Sequence, residues 1–294
     1  MIGKKTPAEK LFSVCNIIVM MIFVFACLYP FYYMLIYSFS DSAQAYNITI
    51  LPRGFTLENY EKVFGQSGFG RAAVVSVTRT VLGTALTVVC CSFFGYLVTK
   101  QQMVGRKFIY RMLVITMYVD GGLVPTYLVY RMYGLTNNFL VYLIPTALTA
   151  YNVILIKTFI EQLPPSLEES AMLDGAGPLR CWWSIVLPLS KPILATIAVF
   201  AAVGQWNAWF DSHIYVTQKE LWSLQYVLYR YLQQVQDLAN AMAEYKGASL
   251  QINMVSPATV RMTITAVVTI PILFVYPFMQ RYFVKGLHLG AVKG

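Results

Sequence analysis

Residues 14–39 read VCNIIVMMIFVFACLYPFYYMLIYSF, a run from Val14 to Phe39 without an Asp, Glu, Lys or Arg. A helix rises about 1.5 Å per residue and the hydrocarbon core of a bilayer is about 30 Å thick, so about 20 such residues make one crossing. The run is long enough with residues to spare. Val24-Phe25-Ala26-Cys27 has the look of a lipoprotein cleavage box, but the apolar stretch continues to Phe39, well past the roughly 7–15 residues of a signal-peptide core. It predicts a retained membrane helix.

The rest of the chain follows the same pattern. Of 294 residues 57% are hydrophobic and 12% charged, against about 25% charged in an ordinary soluble domain. Too little polar surface remains to cover a soluble core, and 18 Phe, 21 Tyr and 5 Trp are the opposite of a disordered composition. Five further apolar stretches, about 72–98, 108–130, 139–160, 192–212 and 259–280, bring the expected crossings to six. Unpaired backbone cannot face lipid, so these are expected to be helical. The fold class is all-α, a polytopic membrane protein of six transmembrane helices.

The net charge of +9 is distributed as a topology signal rather than as a nucleic-acid surface. Lys4, Lys5 and Lys10 precede the first span, and Lys100, Arg106 and Lys107 follow the second. Lys157, Arg180 and Lys191 border the loop after the fourth, and Arg281, Lys285 and Lys293 follow the sixth. With alternating spans all four groups fall on one side, which the positive-inside rule makes cytoplasmic, termini included. The expected organisation is a cytoplasmic N-terminus (1–13), a six-helix transmembrane domain (14–280, with a cytoplasmic loop at 161–191) and a cytoplasmic tail (281–294). The longer outside loops are 40–71 and 213–258. The latter, with Leu221, Leu224, Tyr226 and Leu228, is expected to hold a surface helix or two.

The five cysteines are odd in number and form no C-x-x-C, and His213 and His288 are too few and too distant for a metal cluster. No metal site is expected. No Walker A is present, since Gly3-Lys4 has no glycine before it. The chain is expected to bind no cofactor and to catalyse no reaction itself.

The loop from Glu161 to Pro192 is unlike its surroundings. It holds Glu161, Glu168, Glu169 and Asp174, four of the chain's 13 acids. Pro164-Pro165 ends the fourth span, Ser166 reads as the N-cap of a short helix, and both glutamates fall in its first turn, where the macrodipole favours anions. Gly175 and Gly177-Pro178 stop that helix, with Gly175 at a position needing positive φ and Asp174 fixing the turn. A second short amphipathic piece runs from Leu179 to Val186. Two short helices around a glycine hinge, carrying exposed acids, form a docking knob.

The run Glu169-Ser170-Ala171-Met172-Leu173-Asp174-Gly175-Ala176, then Ile185-Val186-Leu187-Pro188-Leu189-Ser190-Lys191-Pro192, resembles the EAA loop of bacterial ABC importer permeases. Ser170 stands where that pattern has alanine. Gly121-Gly122-Leu123-Val124-Pro125-Thr126-Tyr127, Gly134-Leu135-Thr136-Asn137, Trp206-Asn207 and the tail from Arg281 to Gly294 extend the likeness to carbohydrate-uptake permeases of the maltose-transporter type. One branch of these carries oligosaccharides that include uronic-acid fragments, the alginate importer's smaller permease among them. The resemblance implies an assembly with a second homologous permease, two ATP-binding subunits that hold ATP and Mg, and an extracytoplasmic solute-binding protein. It also implies ATPase coupling through Glu168, Glu169, Ala171, Asp174, Gly175, Ala176, Leu187 and Pro188, with Glu169 facing an arginine in the ATPase cleft. Lys285 and Gly290 of the tail are expected to lie against the ATPases.

Asp120, Gln205, Trp206, Asn207 and Trp209 are the candidates for an oligosaccharide pathway, since aromatic faces stack on sugars and amides bond hydroxyls. An interfacial aromatic belt or interhelical amide bonds account for the same residues. Arg79, near the outer end of the second span, is expected to snorkel to the interface. A secondary, ion-coupled transporter is disfavoured by the absence of an inverted repeat. An ABC permease for a non-sugar solute stays open.

Overall fold

The computed structural model describes residues 6–42, 50–244 and 256–290, the last 17 of these and residues 242–244 by backbone alone. The regular structure of the described residues is all helical, with no strand and only an isolated antiparallel bridge between Ser40 and Phe55. They fall into two compact units, residues 1–66 with 231–269 and residues 67–230 with 270–294.

In the first unit, helix α1 (Pro7–Ser38) begins at a reciprocal cap. The Thr6 hydroxyl accepts from the Glu9 N–H at 3.3 Å and the Glu9 carboxylate accepts from the Thr6 N–H at 2.9 Å, which satisfies two donors that a bare helix start would orphan. Its apolar residues from Leu11 to Tyr32 are exposed within the chain, as befits a surface that meets lipid or protein. After α1, helix α2 (Glu58–Phe64) carries buried Asn59. The Asn59 amide donates to the carbonyls of Ser38 (3.0 Å) and Ser40 (2.9 Å) and accepts from Ser42. One amide thus closes the chain where it leaves the helix. Burial pushes the Tyr60 phenol above its usual pKa, offset in part by its 2.7 Å hydrogen bond to Ser38.

The second unit is built on helix α3 (Phe69–Leu97). Ala72, Val75, Ser76, Arg79, Gly83, Thr87, Cys91 and Gly95 are buried at spacings of three and four, while Val74, Val77, Val81 and Val89 point out. Small and polar residues inside with large apolar ones outside is the pattern of helices that pack in lipid, where close backbone approach replaces the hydrophobic drive. Against this stripe pack α6 (Ala150–Ile160) and α10 (Lys191–Asn207). A Cβ on Gly83 would lie 2.5 Å from Gln205 Nε2, and one on Gly95 would lie 3.0 Å from Ile156. The two glycines set the closest approach of α10 and α6.

The expected third span is not one helix. It consists of α4 (Arg106–Ile115) and α5 (Leu123–Met132), separated by residues 116–122. The Asp120 carboxylate accepts from the Gly122 N–H at 3.1 Å and Gly122 adopts φ +80°. A short acidic side chain competing for backbone, followed by two glycines, ends a helix at less cost than continuing it. Residues 115–125 are all exposed in the chain.

The expected fourth span is likewise mixed. A 3-10 turn, Phe139–Tyr142, and an irregular stretch containing Pro145 precede α6, whose 11 residues cover only about 16 Å. Residues 166–189, expected on the cytoplasmic side, form α7 (Ser166–Leu173), α8 (Pro178–Cys181), a π-helical turn at Trp182–Val186 and α9 (Leu187–Leu189). The segment Pro178–Leu189 then bends by 83° into α10. That helix stops at Asn207, short of the expected 212, and α11 (Phe210–Tyr215) and α12 (Leu224–Glu244) form the surface helices expected in the outside loop. Leu224, Tyr226 and Leu228 are buried, as their apolar pattern requires. The last helix, α13 (Pro257–Gly290), runs past the expected span end at 280 and carries Lys285 and Gly290. Their side-chain surroundings, and residues 291–294, lie outside the described residues. Among the described residues α1 and α3 are each long and apolar enough to cross a bilayer unaided, and Pro178–Leu189 with α10 adds a third only if that bent pair is counted as one span.

Candidate functional site

The acidic loop folds as two short helices joined by a backbone-made turn. Helix α7 starts one residue earlier than its sequence suggests, with Pro165 at the cap position and Ser166 inside the helix. Proline is tolerated there because its missing N–H would be unpaired anyway. Its far end closes by two bonds, Ala176 N–H to the Ala171 carbonyl at 2.9 Å and Gly175 N–H to the Met172 carbonyl at 3.0 Å. This is the paired Schellman closure, which places its C′ residue in left-handed geometry. Gly175 sits there at φ +80°, as expected. The Asp174 carboxylate is exposed, so backbone bonds rather than this side chain make the turn.

The motif residues divide between two faces. Ala171, Ala176 and Leu187 pack on a core of Tyr96, Val98, Ile156, Ile160, Trp182 and Val186, which joins the loop to α3 and α6. Phe93 meets Trp182 edge-on at 5.0 Å. Glu169, Asp174 and Pro188 face outward. Exposed apolar side chains that the motif reading passed over, Leu173, Leu179 and Trp183, accompany them at 89%, 63% and 64% exposure. Their signal was present in the sequence: large apolar residues on a charged loop outside the membrane spans.

Glu168 differs from its neighbour Glu169. Its carboxylate pairs with the Lys100 ammonium and accepts from the Tyr96 hydroxyl at 3.4 Å. Sequence reading placed Lys100 among the topology charges and missed this bond, since 68 residues separate the partners.

The candidate pathway residues form no single set. Gln205 is buried, and its amide is spent on the protein: Oε1 accepts from Arg79 Nε at 3.0 Å, and Nε2 donates to the Tyr142 carbonyl at 2.9 Å and to Thr146 at 2.7 Å. Arg79 does not snorkel. It is 0% exposed, pairs with both oxygens of Asp211 and lies 4.2 Å from the centre of the Tyr142 ring. A carboxylate 132 residues away removes the need to reach water. A cavity of about 370 Å³ opens beside this network, lined by Thr87, Thr149, Asn152 and Phe200 as well as the charged pair. Trp209 stacks on Tyr229 at 4.2 Å, Asn207 accepts from Gln225 at 3.3 Å, and Trp206 is half-buried. Asp120 lies in the break before α5, where its carboxylate accepts from the Gly122 N–H. Burial, with the charges of Asp211 and Asp120 adding to it, raises the pKa of the Tyr215 phenol.

One positioning residue had no functional reading in the sequence. Asn137, at φ +54°, accepts on its side-chain oxygen from Thr217 N–H, Thr217 Oγ1 and Gln218 N–H at 2.7–3.2 Å. It pins the turn after α5 to the loop after α11.

Known proteins resemble this chain over nearly its whole length. Residues 1–289 match the family described as binding-protein-dependent transport system inner membrane component. The chain is 38% identical over 292 residues to Protein LplC of Bacillus subtilis strain 168, covering 98% of this chain and 97% of that protein. It is 34% identical over 291 residues to the polygalacturonan/rhamnogalacturonan transport system permease protein YtcP of the same organism, covering 97% and 99%. Among solved structures, a chain in the crystal structure of a bacterial ABC transporter involved in the import of the acidic polysaccharide alginate superposes with a TM-score of 0.78 at 28% identity, covering 96% of this chain and 99% of that one. The chain therefore belongs to the family of binding-protein-dependent inner membrane transport components, and is an ABC importer permease, a transport subunit and not an enzyme.

Proposed function

We propose that this permease forms one wall of the translocation path for an acidic oligosaccharide and receives its driving force through α7. The observation that carries this reading is Glu169: an exposed carboxylate in the first turn of a short helix whose neighbours are anchored to the transmembrane core. A carboxylate so presented suits a basic socket, where charge-assisted bonds are strong. ATP and Mg belong to two partner ATPase subunits, and this chain holds no cofactor. Both termini lie in the cytoplasm and the chain crosses the membrane six times, with the broken third and fourth segments each counted as one crossing.

The exposed break at residues 116–122 supports a permease heterodimer. Irregular backbone at bilayer depth is tolerated only against protein or a water-filled path, and a second, different permease supplies both. Asp120, Trp206, Asn207 and Trp209 are proposed to face that path, while Gln205 serves as a strut. The acidic-oligosaccharide class is supported by the relatives, one a polygalacturonan/rhamnogalacturonan permease and one from an alginate importer.

The coupling role is tested by Glu169→Lys in the complete transporter. The variant should assemble normally and lose substrate-stimulated ATP hydrolysis and uptake, because an interfacial charge pair turned repulsive costs about 2–5 kcal/mol. Normal uptake by that variant would sink the docking role. Uptake by liposomes holding only this subunit and the ATPase would overturn the heterodimer. Uronide and neutral oligosaccharides titrated against the partner solute-binding protein decide the substrate class.

A further inference from the structure

Helix α7 has no fully buried residue. Something other than core burial must fix its orientation, since an eight-residue helix is not stable by itself in water. Its C-terminal end is held by the turn at Gly175 and by Ala171, half-buried against the core. The N-terminal end, where Glu169 is presented, has one side-chain anchor to the transmembrane helices among the described residues: Glu168. The Glu168 carboxylate bonds the Lys100 ammonium just beyond the end of α3, and the same ammonium lies 4.2 Å from the centre of the Tyr96 ring. Tyr96 is fully buried and its hydroxyl reaches the same carboxylate oxygen.

This pair differs in kind from two others in the chain. Lys62–Glu58 and Lys157–Glu161 each join residues four apart on one helix, so neither holds two elements together. Lys100–Glu168 joins two elements, and its side chains are only 23% and 17% exposed. Partial removal from water strengthens such a pair beyond the small worth of a surface bridge. The cation is fixed from below by an aromatic face and the anion by a phenol, which limits the angles the pair can take.

We propose that Glu168 is a positioning residue and not an ATPase contact. With Lys100 and Tyr96 it forms an ionic tether that sets the pitch of α7 on α3, so that Glu169 meets its socket and any push on α7 is delivered to α3. This inference rests on the reading of α7 as the ATPase-docking helix. Two adjacent glutamates then have separate duties: one faces the motor and the other holds the lever.

The test uses the complete transporter in proteoliposomes, with Lys100→Glu, Glu168→Lys and the double exchange. Each single variant should lower the solute carried per ATP hydrolysed by roughly tenfold, the order expected for a lost hydrogen bond between charged groups. The exchange should restore the ratio to within about threefold, since coupled partners are non-additive. A purely structural role would lower the amount of assembled complex and leave this ratio unmoved. Single variants with an unchanged ratio, or an exchange that assembles and recovers nothing, overturn the tether.

Should the charge reversals fail to assemble, Glu168→Gln in the same complex is read by hydrogen exchange of residues 166–173, which should speed up several-fold. Unchanged exchange also overturns the proposal. Glu169→Lys in parallel separates the two readings: normal coupling there removes the docking role of α7 and leaves the exchange measurement to decide the tether.

Discussion

Helix α3 carries an ion pair near each end, and the two are built differently. Toward its start, Arg79 is wholly enclosed and its guanidinium is shared among Asp211, Gln205 and the Ala208 carbonyl. Beyond its other end, Lys100 is partly open to water and holds a single carboxylate oxygen against a tyrosine. The guanidinium is a rigid planar fork that fixes several partners at once, while an ammonium on a flexible stem is one point charge. The Arg79 pair is therefore a strut that locks α10 and α11 to α3. The Lys100 pair is an attachment that can transmit displacement without freezing it. About 27 Å of helix, 18 residues from Arg79 to Leu97, separates them.

The contrast is sharpest where a charge would be stranded. Asp211→Ala should destabilise the permease by about 3–5 kcal/mol, the usual result of leaving a buried charge without its partner. Thermal unfolding of the purified complex and membrane yield are the measurements. The joint replacement Arg79→Met with Asp211→Leu should cost clearly less than either single change. If the single and double changes were equally damaging, the Arg79 pair would not be the strut described.

A smaller loss is expected from crowding the same joint. A methyl group on Gly83 would meet Gln205 Nε2 at 2.5 Å and Cδ at 2.7 Å, so Gly83→Ala must displace the amide that bonds Arg79. Overpacking of this sort costs about 1–3 kcal/mol, and adding Gln205→Ala should not bring full recovery because Arg79 then loses an acceptor. Full recovery in the double variant would show that space, not the amide, matters at this crossing.

The least effect should come from the turn between the coupling helices. Gly175→Ala forces a side chain to φ +80° at a cost of about 1–2 kcal/mol. Because Gly175 lies in open space, strain is the entire penalty. Coupling should fall slightly and stability by that amount, whereas Gly177→Ala, whose φ is −71°, should be silent. Equal effects at the two glycines would break the assignment of the turn.

These two ends were unequally legible in the sequence. The positive φ at Gly175 and the first-turn glutamates follow from local chemistry, and the structure forms both, although backbone bonds and not the Asp174 side chain close the turn. The apolar runs placed α1 and α3 for the same reason, since each residue's preference for lipid is its own property. Arg79 was misread because its neutralising partner comes from another helix, and no local pattern announces a contact 132 residues away. Gln205, offered for sugar hydroxyls, is consumed by the same network. The break in the third segment was written plainly in Asp120-Gly121-Gly122, but hydropathy averages over a break of seven residues and reports one span.

That break also bears on how the subunit is supplied. Residues 115–125 present side chains and non-helical backbone without cover from the other described residues, and lipid solvates such backbone poorly. In the proposed heterodimer, copies made in excess of the second permease would keep this stretch exposed to membrane-bound proteases, so their lifetime, not their rate of synthesis, would set the cellular ratio of the two permeases. Pulse-chase labelling with and without the partner's gene should show the orphan turning over faster.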